Sequence, residues 1–211
     1  MSPKTHRVSK PQTVSGKLYA QGSRDVDLRE LEARLEPETG VMMGKHWEQK
    51  CRQTLALWLT DKGATYSYAG KTRAHIEAPP LVKEMARKLQ AKVLEQTGVQ
   101  QEFNTAIFTR YLPPSKEKPS DKGDLNWHDD ESRSNLKKDS VVGSVVFGEA
   151  RGVFLRRKAD HKEQQVLRPG DGEYYVMLPG CQRDWQHRVE KGKGVRTTLT
   201  FRTVESGEKK K

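Results

Sequence analysis

The sequence predicts an α+β protein that is mainly β, with a double-stranded β-helix (jelly-roll) core and two to three N-terminal helices packed on one side. Helical spacing of apolar residues is confined to roughly the first hundred positions. Short apolar runs separated by turn residues follow, as is typical of strands; the clearest are 141–147, 152–155 and 174–178. About five to seven short strands after such helices favour two packed sheets.

The chain of 211 residues is long enough for one domain with a real core. Lysines and arginines lie among prolines, serines and glycines at the start of the sequence, which predicts a basic, disordered arm over residues 1–22. We predict the domain itself over 23–204, with a helical part at 23–100 and the jelly-roll core at 101–204. The basic tail, 205–211, has the same character as the arm.

The composition is polar and basic. Charged residues make up 32%, mean hydropathy is −0.90, the net charge is +11 and the pI is about 9.6. This balance favours a polyanionic partner, nucleic acid first and an acidic membrane surface second. The sequence contains neither an apolar run of membrane-spanning length nor a signal-peptide core. With only Cys51 and Cys181, a reducing compartment fits best. We expect a monomeric intracellular protein, cytoplasmic or nuclear, that is neither secreted nor membrane-bound.

Three stretches carry apolar residues at helical spacing and are predicted to be helices: 25–35, 47–59 and 80–98. Ser23 or Asp25 is placed to cap the first. The third opens at Pro79 and Pro80 and stops at Gly98, since proline suits a helix start and glycine suits its C-terminal cap. Its lysines and arginines are expected to form a solvated face.

A tyrosine-rich stretch at 64–70 precedes Lys71, Arg73 and His75. Aromatic rings interleaved with basic side chains suit single-stranded nucleic acid, because bases stack on rings while cations attract phosphates. Alternating tyrosines are equally typical of an ordinary sheet edge. The sequence leaves both interpretations of Tyr66 and Tyr68 open.

The stretch from Asn126 to Arg202 contains side chains in an order that suits metal chemistry. Residues i and i+2 of a strand point to one face, so His128 and Asp130 can aim at one point from positions about 7 Å apart. His187 offers a third ligand if the intervening strands bring the two ends together. Two histidines and one carboxylate form the facial triad of non-haem Fe(II) oxygenases. A chance His-x-Asp in a solvated acidic turn is the alternative.

The last predicted strand carries two arginines on one face, Arg196 and Arg202. An arginine that points inward beside Leu199 and Phe201 is costly unless it meets an anion. A guanidinium binds a carboxylate through two hydrogen bonds, as a dicarboxylate cosubstrate would require. The alternative is that both arginines lie on a solvated face of the strand.

Together these motifs resemble the AlkB family of Fe(II)- and 2-oxoglutarate-dependent dioxygenases. The resemblance covers about 64–204 and rests on Phe103-Asn104 through Arg110-Tyr111, His128-x-Asp130, Ser144-Val145-Val146-Phe147-Gly148 with Arg151, Trp185-x-His187, and Arg196 to Phe201-Arg202. All motifs occur in the family order, and the closing Arg-x-x-Leu-Thr-Phe-Arg is the most specific.

The resemblance implies a role for each motif. His128, Asp130 and His187 would hold Fe(II). Arg196 would bind the distal carboxylate of 2-oxoglutarate, and Arg202 would lie near the metal and orient Asp130.

Further positions are implied to bind cosubstrate. Tyr111 would hydrogen-bond 2-oxoglutarate. Thr109 and Thr198 occupy positions that the family usually fills with asparagine, and both can still donate a hydrogen bond.

Substrate contacts are implied less directly. The resemblance places Tyr66 and Tyr68 in a lid over the nucleotide, within the 23–100 part. Family members often have a carboxylate two residues after the metal aspartate; here Ser132 stands there, with Glu131 one step before it. Either Glu131 takes over that contact or the choice of base differs.

The implied activity is oxidative removal of N-linked methyl or other alkyl groups from bases of RNA or single-stranded DNA. Dioxygen is the cosubstrate, and formaldehyde and succinate are released. Single strands suit a buried site because their bases need little unstacking. Two alternatives remain open: a 2-oxoglutarate dioxygenase that hydroxylates a protein or small molecule, and a non-catalytic nucleic-acid-binding module.

Overall fold

The computed structural model describes residues 10–22, 26–37, 42–43, 46–47, 52–60, 64–68, 71–72, 74–113 and 123–205. Within them the helices are α1 (Arg29–Glu32), α2 (Pro80–Thr97) and α3 (Cys181–Asp184). The strands are β1 (Thr13–Lys17), β2 (Glu36–Pro37), β3 (Met42–Met43), β4 (His46–Trp47), β5 (Arg52–Trp58), β6 (Ser67–Tyr68), β7 (Lys71–Thr72), β8 (His75–Glu77), β9 (Thr105–Tyr111), β10 (Leu125–His128), β11 (Val142–Gly148), β12 (Val153–Arg157), β13 (Gln164–Leu167), β14 (Glu173–Met177), β15 (Trp185–Val189) and β16 (Arg196–Arg202).

Two sheets organise the chain. The major sheet has the order β1-β14-β11-β16-β9-β5-β2, with β8 parallel to β5, and the minor sheet has the order β10-β15-β12-β13. All other pairings in these sheets are antiparallel. The prediction of a mainly β jelly roll is confirmed. None of the helices described here is long and apolar enough to span a membrane.

Alternation along the strands divides the core into two layers. Odd-numbered residues of β11, such as Val145, pack with α2, whereas Val142 and Val146 pack between the sheets. The layer under α2 is built from Val82, Met85, Leu89, Val93, Phe108, Leu199 and Phe201, all of them buried. In β16 the same alternation turns Arg196 and Arg202 away from α2 and into the space between the sheets.

The predicted helix 80–98 is confirmed as α2, which begins at Pro80 and is closed by Gly98 in the left-handed conformation, with φ of 70°. The first predicted helix is present only as the single turn α1. Its predicted caps, Ser23 and Asp25, lie outside the described residues.

The predicted helix over 47–59 is wrong, because Arg52–Trp58 forms β5 in the major sheet. This strand is covered on both faces: Ala56 and Leu57 are consecutive in sequence and both are buried. A strand buried on both faces has no clean alternation, so its apolar residues also match a helical spacing.

The predicted disordered arm over 1–22 is wrong for Thr13–Lys17, which forms β1. Its five residues pair with β14 from Thr13↔Met177 to Lys17↔Glu173. Since Val14 also packs against the main core, the domain includes this strand and does not begin at residue 23. Residues 1–9 of the predicted arm and 206–211 of the predicted tail lie outside the described residues.

Candidate metal centre

The three predicted metal ligands meet between the sheets. His128 ends β10, Asp130 lies in the turn after it, and His187 is the residue of β15 that pairs with His128. One potential ligand atom from each side chain lies within 4.8 Å of the others. The two imidazole rings are 4.0 Å apart between centroids. The antiparallel pairing of β10 and β15 thus brings together residues far apart in the sequence.

Charge at this cluster is set by burial and by Arg202. Burial opposes ionisation of Asp130, but the positive charge of Arg202, the two nearby histidines and the hydrogen bond from Arg202 together outweigh burial and lower the pKa of Asp130 to about 2. The Arg202 guanidinium donates to Asp130 Oδ1 at 2.9 Å. Burial, reinforced by the charge of His128, lowers the pKa of His187 to about 3, and burial also lowers the pKa of His128. At neutral pH the cluster therefore offers one carboxylate and two neutral imidazoles.

The donor set fits a divalent transition metal. Asp130 Oδ2 is buried and has no hydrogen-bond partner among the described residues. His128 Nδ1 lies 2.7 Å from the carbonyl oxygen of Asn126 and must donate to it, because a carbonyl only accepts. This bond fixes the tautomer and leaves Nε2 as the ligand atom, which is the usual arrangement of metal-binding histidines. The set of two imidazoles and one carboxylate is the one that non-haem Fe(II) oxygenases use.

A second buried cation lies on the same strand as Arg202. Arg196 is fully buried, and its Nη1 donates to the carbonyls of Pro169 at 3.2 Å and Glu149 at 3.4 Å. Its Nε and Nη2 have no hydrogen-bond partner among the described residues. Burial lowers the pKa of Arg196. Unused donors on a buried guanidinium are what a bound carboxylate would satisfy.

The predicted cosubstrate residues surround this arginine. Tyr111 pairs with Arg196 across β9 and β16, and Thr109 pairs with Thr198 in the same register. All of them are buried and face the space between the sheets. The fold therefore brings the two threonines together beside Arg196.

The residues predicted to contact substrate fall into two groups, tyrosines near Arg202 and polar residues in the turn after Asp130. The buried ring of Tyr66 lies 4.7 Å from the Arg202 guanidinium, and Tyr68 stacks beside it with centroids 6.5 Å apart. Glu131 accepts a hydrogen bond from the Asp139 backbone N–H at 3.2 Å. Ser132 donates from its hydroxyl to Asp129 at 3.0 Å. Both tyrosines thus border the cluster, while Glu131 and Ser132 are engaged in the turn next to it.

Residues that support the cluster were missed by the sequence analysis. The Asp130 N–H donates to Gln182 Oε1 at 2.9 Å, and Gln182 lies on α3, just before His187. Lys158 pairs with Asp129 at 3.0 Å and donates to the Gln182 carbonyl at 2.8 Å. These contacts join segments distant in sequence, so no local pattern marks them.

Comparison with known proteins gives consistent matches. Residues 13–202 match the 2OG-Fe(II) oxygenase superfamily. An uncharacterized protein of Acanthamoeba polyphaga mimivirus is 24% identical over 201 residues, which cover 90% of this chain and 96% of that protein. Human alpha-ketoglutarate-dependent dioxygenase alkB homolog 3 is 30% identical over 161 residues, which cover 71% of this chain and 51% of that protein. The chain thus spans about half the length of this human relative.

Solved structures share the fold. The structure of OsALKBH1 superimposes with a TM-score of 0.61 at 14% identity, covering 92% of this chain and 99% of that one. A 2OG-Fe(II) oxygenase family protein from Burkholderia pseudomallei gives 0.59 at 14% identity, covering 91% and 84%. A Pseudomonas putida prolyl-4-hydroxylase gives 0.55 at 15% identity, covering 94% and 96%.

Proposed function

Since this chain belongs to the 2OG-Fe(II) oxygenase superfamily, whose cofactor and cosubstrate are Fe(II) and 2-oxoglutarate, and resembles its AlkB members, we propose that it removes N-linked methyl groups from nucleic-acid bases. The substrate would be RNA or single-stranded DNA. The observation that carries the proposal is the buried cluster of His128, Asp130 and His187, with the unpartnered Oδ2 of Asp130 at its centre.

Each side chain then has a defined task. His128 Nε2, one His187 ring nitrogen and Asp130 Oδ2 would hold Fe(II), and Arg202 would keep Asp130 ionised and oriented through the bond to Oδ1. Arg196 would bind the distal carboxylate of 2-oxoglutarate with its two unused donors, assisted by Tyr111, Thr109 and Thr198. Fe(II) and 2-oxoglutarate together supply the activation of dioxygen for insertion of one oxygen atom into a C–H bond.

The atoms balance across the proposed reaction. One oxygen atom of dioxygen would enter the new carboxylate of succinate as 2-oxoglutarate loses carbon dioxide, and the other would convert the N-methyl group to N-hydroxymethyl. The C–N bond of that group then breaks, and formaldehyde leaves while the base nitrogen regains its free form. Burial of the cluster between the sheets keeps water from competing in this oxidation.

Two features support a nucleic-acid substrate. The net charge is +11, which favours phosphate contacts. Tyr66 and Tyr68 lie next to Arg202, and Tyr68 is only half-buried, so its ring is available to stack on a base. Glu131 and Ser132 lie directly after Asp130, so either Glu131 contacts the base or the choice of base differs.

The first experiment is anaerobic titration of metal-free protein with Fe(II) and 2-oxoglutarate, followed by the weak visible charge-transfer band of their chelate. We expect a band that Asp130→Ala and His187→Ala abolish and that Arg196→Met shifts to higher 2-oxoglutarate concentration. A folded protein without the band would overturn the assignment of the ligands.

The substrate is tested separately with methylated oligonucleotides. We expect formaldehyde and succinate in about equal amounts from methylated single-stranded RNA or DNA. Turnover of 2-oxoglutarate without demethylation of any methylated oligonucleotide would refute the nucleic-acid substrate while leaving the oxygenase chemistry intact.

A further inference from the structure

The outer face of the minor sheet carries a set of aromatic and arginine side chains that the proposed chemistry does not use. In β15, His187 points inward to the metal cluster, so its neighbour Arg188 points outward. Phe154 pairs with Arg188 in the register of β12 and β15, and Arg156 lies two residues further along β12. Trp127 precedes His128 in β10. We call Trp127, Phe154, Arg156 and Arg188 the arginine–aromatic face.

These four side chains stack in one continuous series. The Arg156 guanidinium lies 4.2 Å from the centre of the Trp127 ring. Arg188 lies 5.3 Å from the same ring and 4.3 Å from the ring of Phe154. All four side chains are only partly buried. Planar groups from three neighbouring strands are therefore presented side by side.

Neither arginine of this face forms an ion pair with a carboxylate of the described residues, although Glu190 is close enough to feel the charge of Arg188. Arg188 makes no ion pair and no hydrogen bond there, and its Nε is buried without a partner. Arg156 donates only to the neutral side chain of Gln186, at 3.0 and 3.3 Å. The two guanidinium groups share the indole ring of Trp127, and no carboxylate of the described residues lies within 4.0 Å of either group.

Nearby arginines show the contrast. Arg157 pairs with Glu163 at 3.1 Å, and Arg168 pairs with Glu190 at 2.6 Å. Both carboxylates belong to the same part of the fold, so acidic side chains are available there but do not pair with Arg156 or Arg188. An external anion would both relieve the repulsion and satisfy the free N–H donors.

We propose that the arginine–aromatic face binds single-stranded nucleic acid, with phosphates on the two guanidinium groups and bases stacked on the planar side chains. Stacked rings and guanidinium planes suit nucleobases, whereas an acidic peptide has no planar group to occupy them. The face lies at the edge of the minor sheet, because β10 is its terminal strand. A single-stranded nucleic acid that crosses this edge would pass from Trp127 to the side of the sheet that bears His128.

This inference rests on the proposed function only for the choice of nucleic acid as the partner. It is tested by fluorescence anisotropy of a labelled, unmethylated single-stranded oligonucleotide of about a dozen nucleotides, which is within the site sizes of proteins that bind single-stranded nucleic acid. Metal and 2-oxoglutarate are omitted. The variant is Arg156→Gln with Arg188→Gln. The matched control is Arg157→Gln with Arg168→Gln, which removes the same charge from arginines that are already paired.

We expect the Arg156/Arg188 variant to bind at least about 10-fold more weakly, since two charged contacts are lost. The slope of log affinity against log salt should fall by about 1.4 for two phosphates on a single strand. The control should change binding less than about 3-fold. An equal loss in both variants would reduce the effect to net charge and overturn the proposal, and unchanged binding in the Arg156/Arg188 variant would also overturn it.

Two further measurements separate binding from folding and from catalysis. Arg156→Lys with Arg188→Lys keeps the charge but removes the planes, so we expect a partial loss of affinity at an unchanged melting temperature. Poly-glutamate that binds as tightly as the oligonucleotide and loses affinity in the same variant would identify a general anion site and overturn the proposal. Because no turnover is measured, failure of the demethylase proposal leaves these results unaffected.

Discussion

Replacement of Gln182 by methionine tests whether the metal cluster depends on the contact that fixes the Asp130 backbone. Gln182 is 2% exposed, accepts the Asp130 N–H at 2.9 Å and donates to Met177 Sδ at 3.3 Å. Methionine keeps the volume but removes the acceptor. An unsatisfied buried N–H costs about 1–3 kcal/mol, and the turn that holds Asp130 can avoid this cost only by moving.

We expect Gln182→Met to weaken metal binding by about 10–100-fold, the usual effect of losing an outer contact to a metal ligand. Anaerobic calorimetry with Fe(II), or with Mn(II) as a redox-stable substitute, measures the affinity, and urea unfolding of the metal-free protein measures the stability. Gln164→Met, an exposed change on β13, is the control and should alter neither quantity. Wild-type metal affinity in a folded Gln182→Met protein would refute the reasoning.

Three other predictions follow from the structure. Val14→Asp should lower the free energy of unfolding by about 1–3 kcal/mol, because β1 packs Val14 against the core. Ser15→Asp, on the exposed side of β1, should change it by less than about 0.5 kcal/mol in the same urea titration, and equal, negligible effects of both changes would mean that the segment is not ordered. Burial raises the pKa of Cys181 to about 12, so peptide mapping after iodoacetamide treatment at about pH 8 should find this thiol unmodified in native protein and modified in urea. Because the pKa of His187 is lowered to about 3, the unfolded metal-free protein binds a proton below about pH 6.5 that the folded protein does not bind. The free energy of unfolding should therefore fall as the pH decreases, by up to about 1.4 kcal/mol per pH unit, and His187→Gln should show a shallower slope in urea titrations.

The predictions that succeeded rest on short-range patterns. Arg196 and Arg202 share a face of one strand, so the sequence alone carries their relation. His128 and Asp130 are two residues apart and reach one site, although β10 ends at His128 and Asp130 lies in the turn after it. The helix 80–98 is bounded by proline and glycine at the positions where each is favoured. Patterns within a single element suffice wherever one face of that element is buried.

The errors arose where long-range pairing determines the structure. β1 contains one apolar residue that packs on the core, Val14, and is held mainly by backbone hydrogen bonds to β14. The pattern of its side chains does not predict this pairing. β5 lies inside the major sheet and is buried on both faces, which removes the alternation that distinguishes a strand. Gln182 supports a residue 52 positions away, so only the folded chain reveals the contact.

The metal cluster and the arginine–aromatic face are linked by the register of the minor sheet. Trp127 and His128 are adjacent in β10, and His187 and Arg188 are adjacent in β15, so each ligand has a neighbour that emerges on the opposite side. A slip of one residue in either strand would exchange a metal ligand for an outward-facing side chain. The pairing of His128 with His187 therefore determines both surfaces at once, so a nucleic acid bound to the arginine–aromatic face, as proposed, would lie at a fixed position relative to the metal cluster.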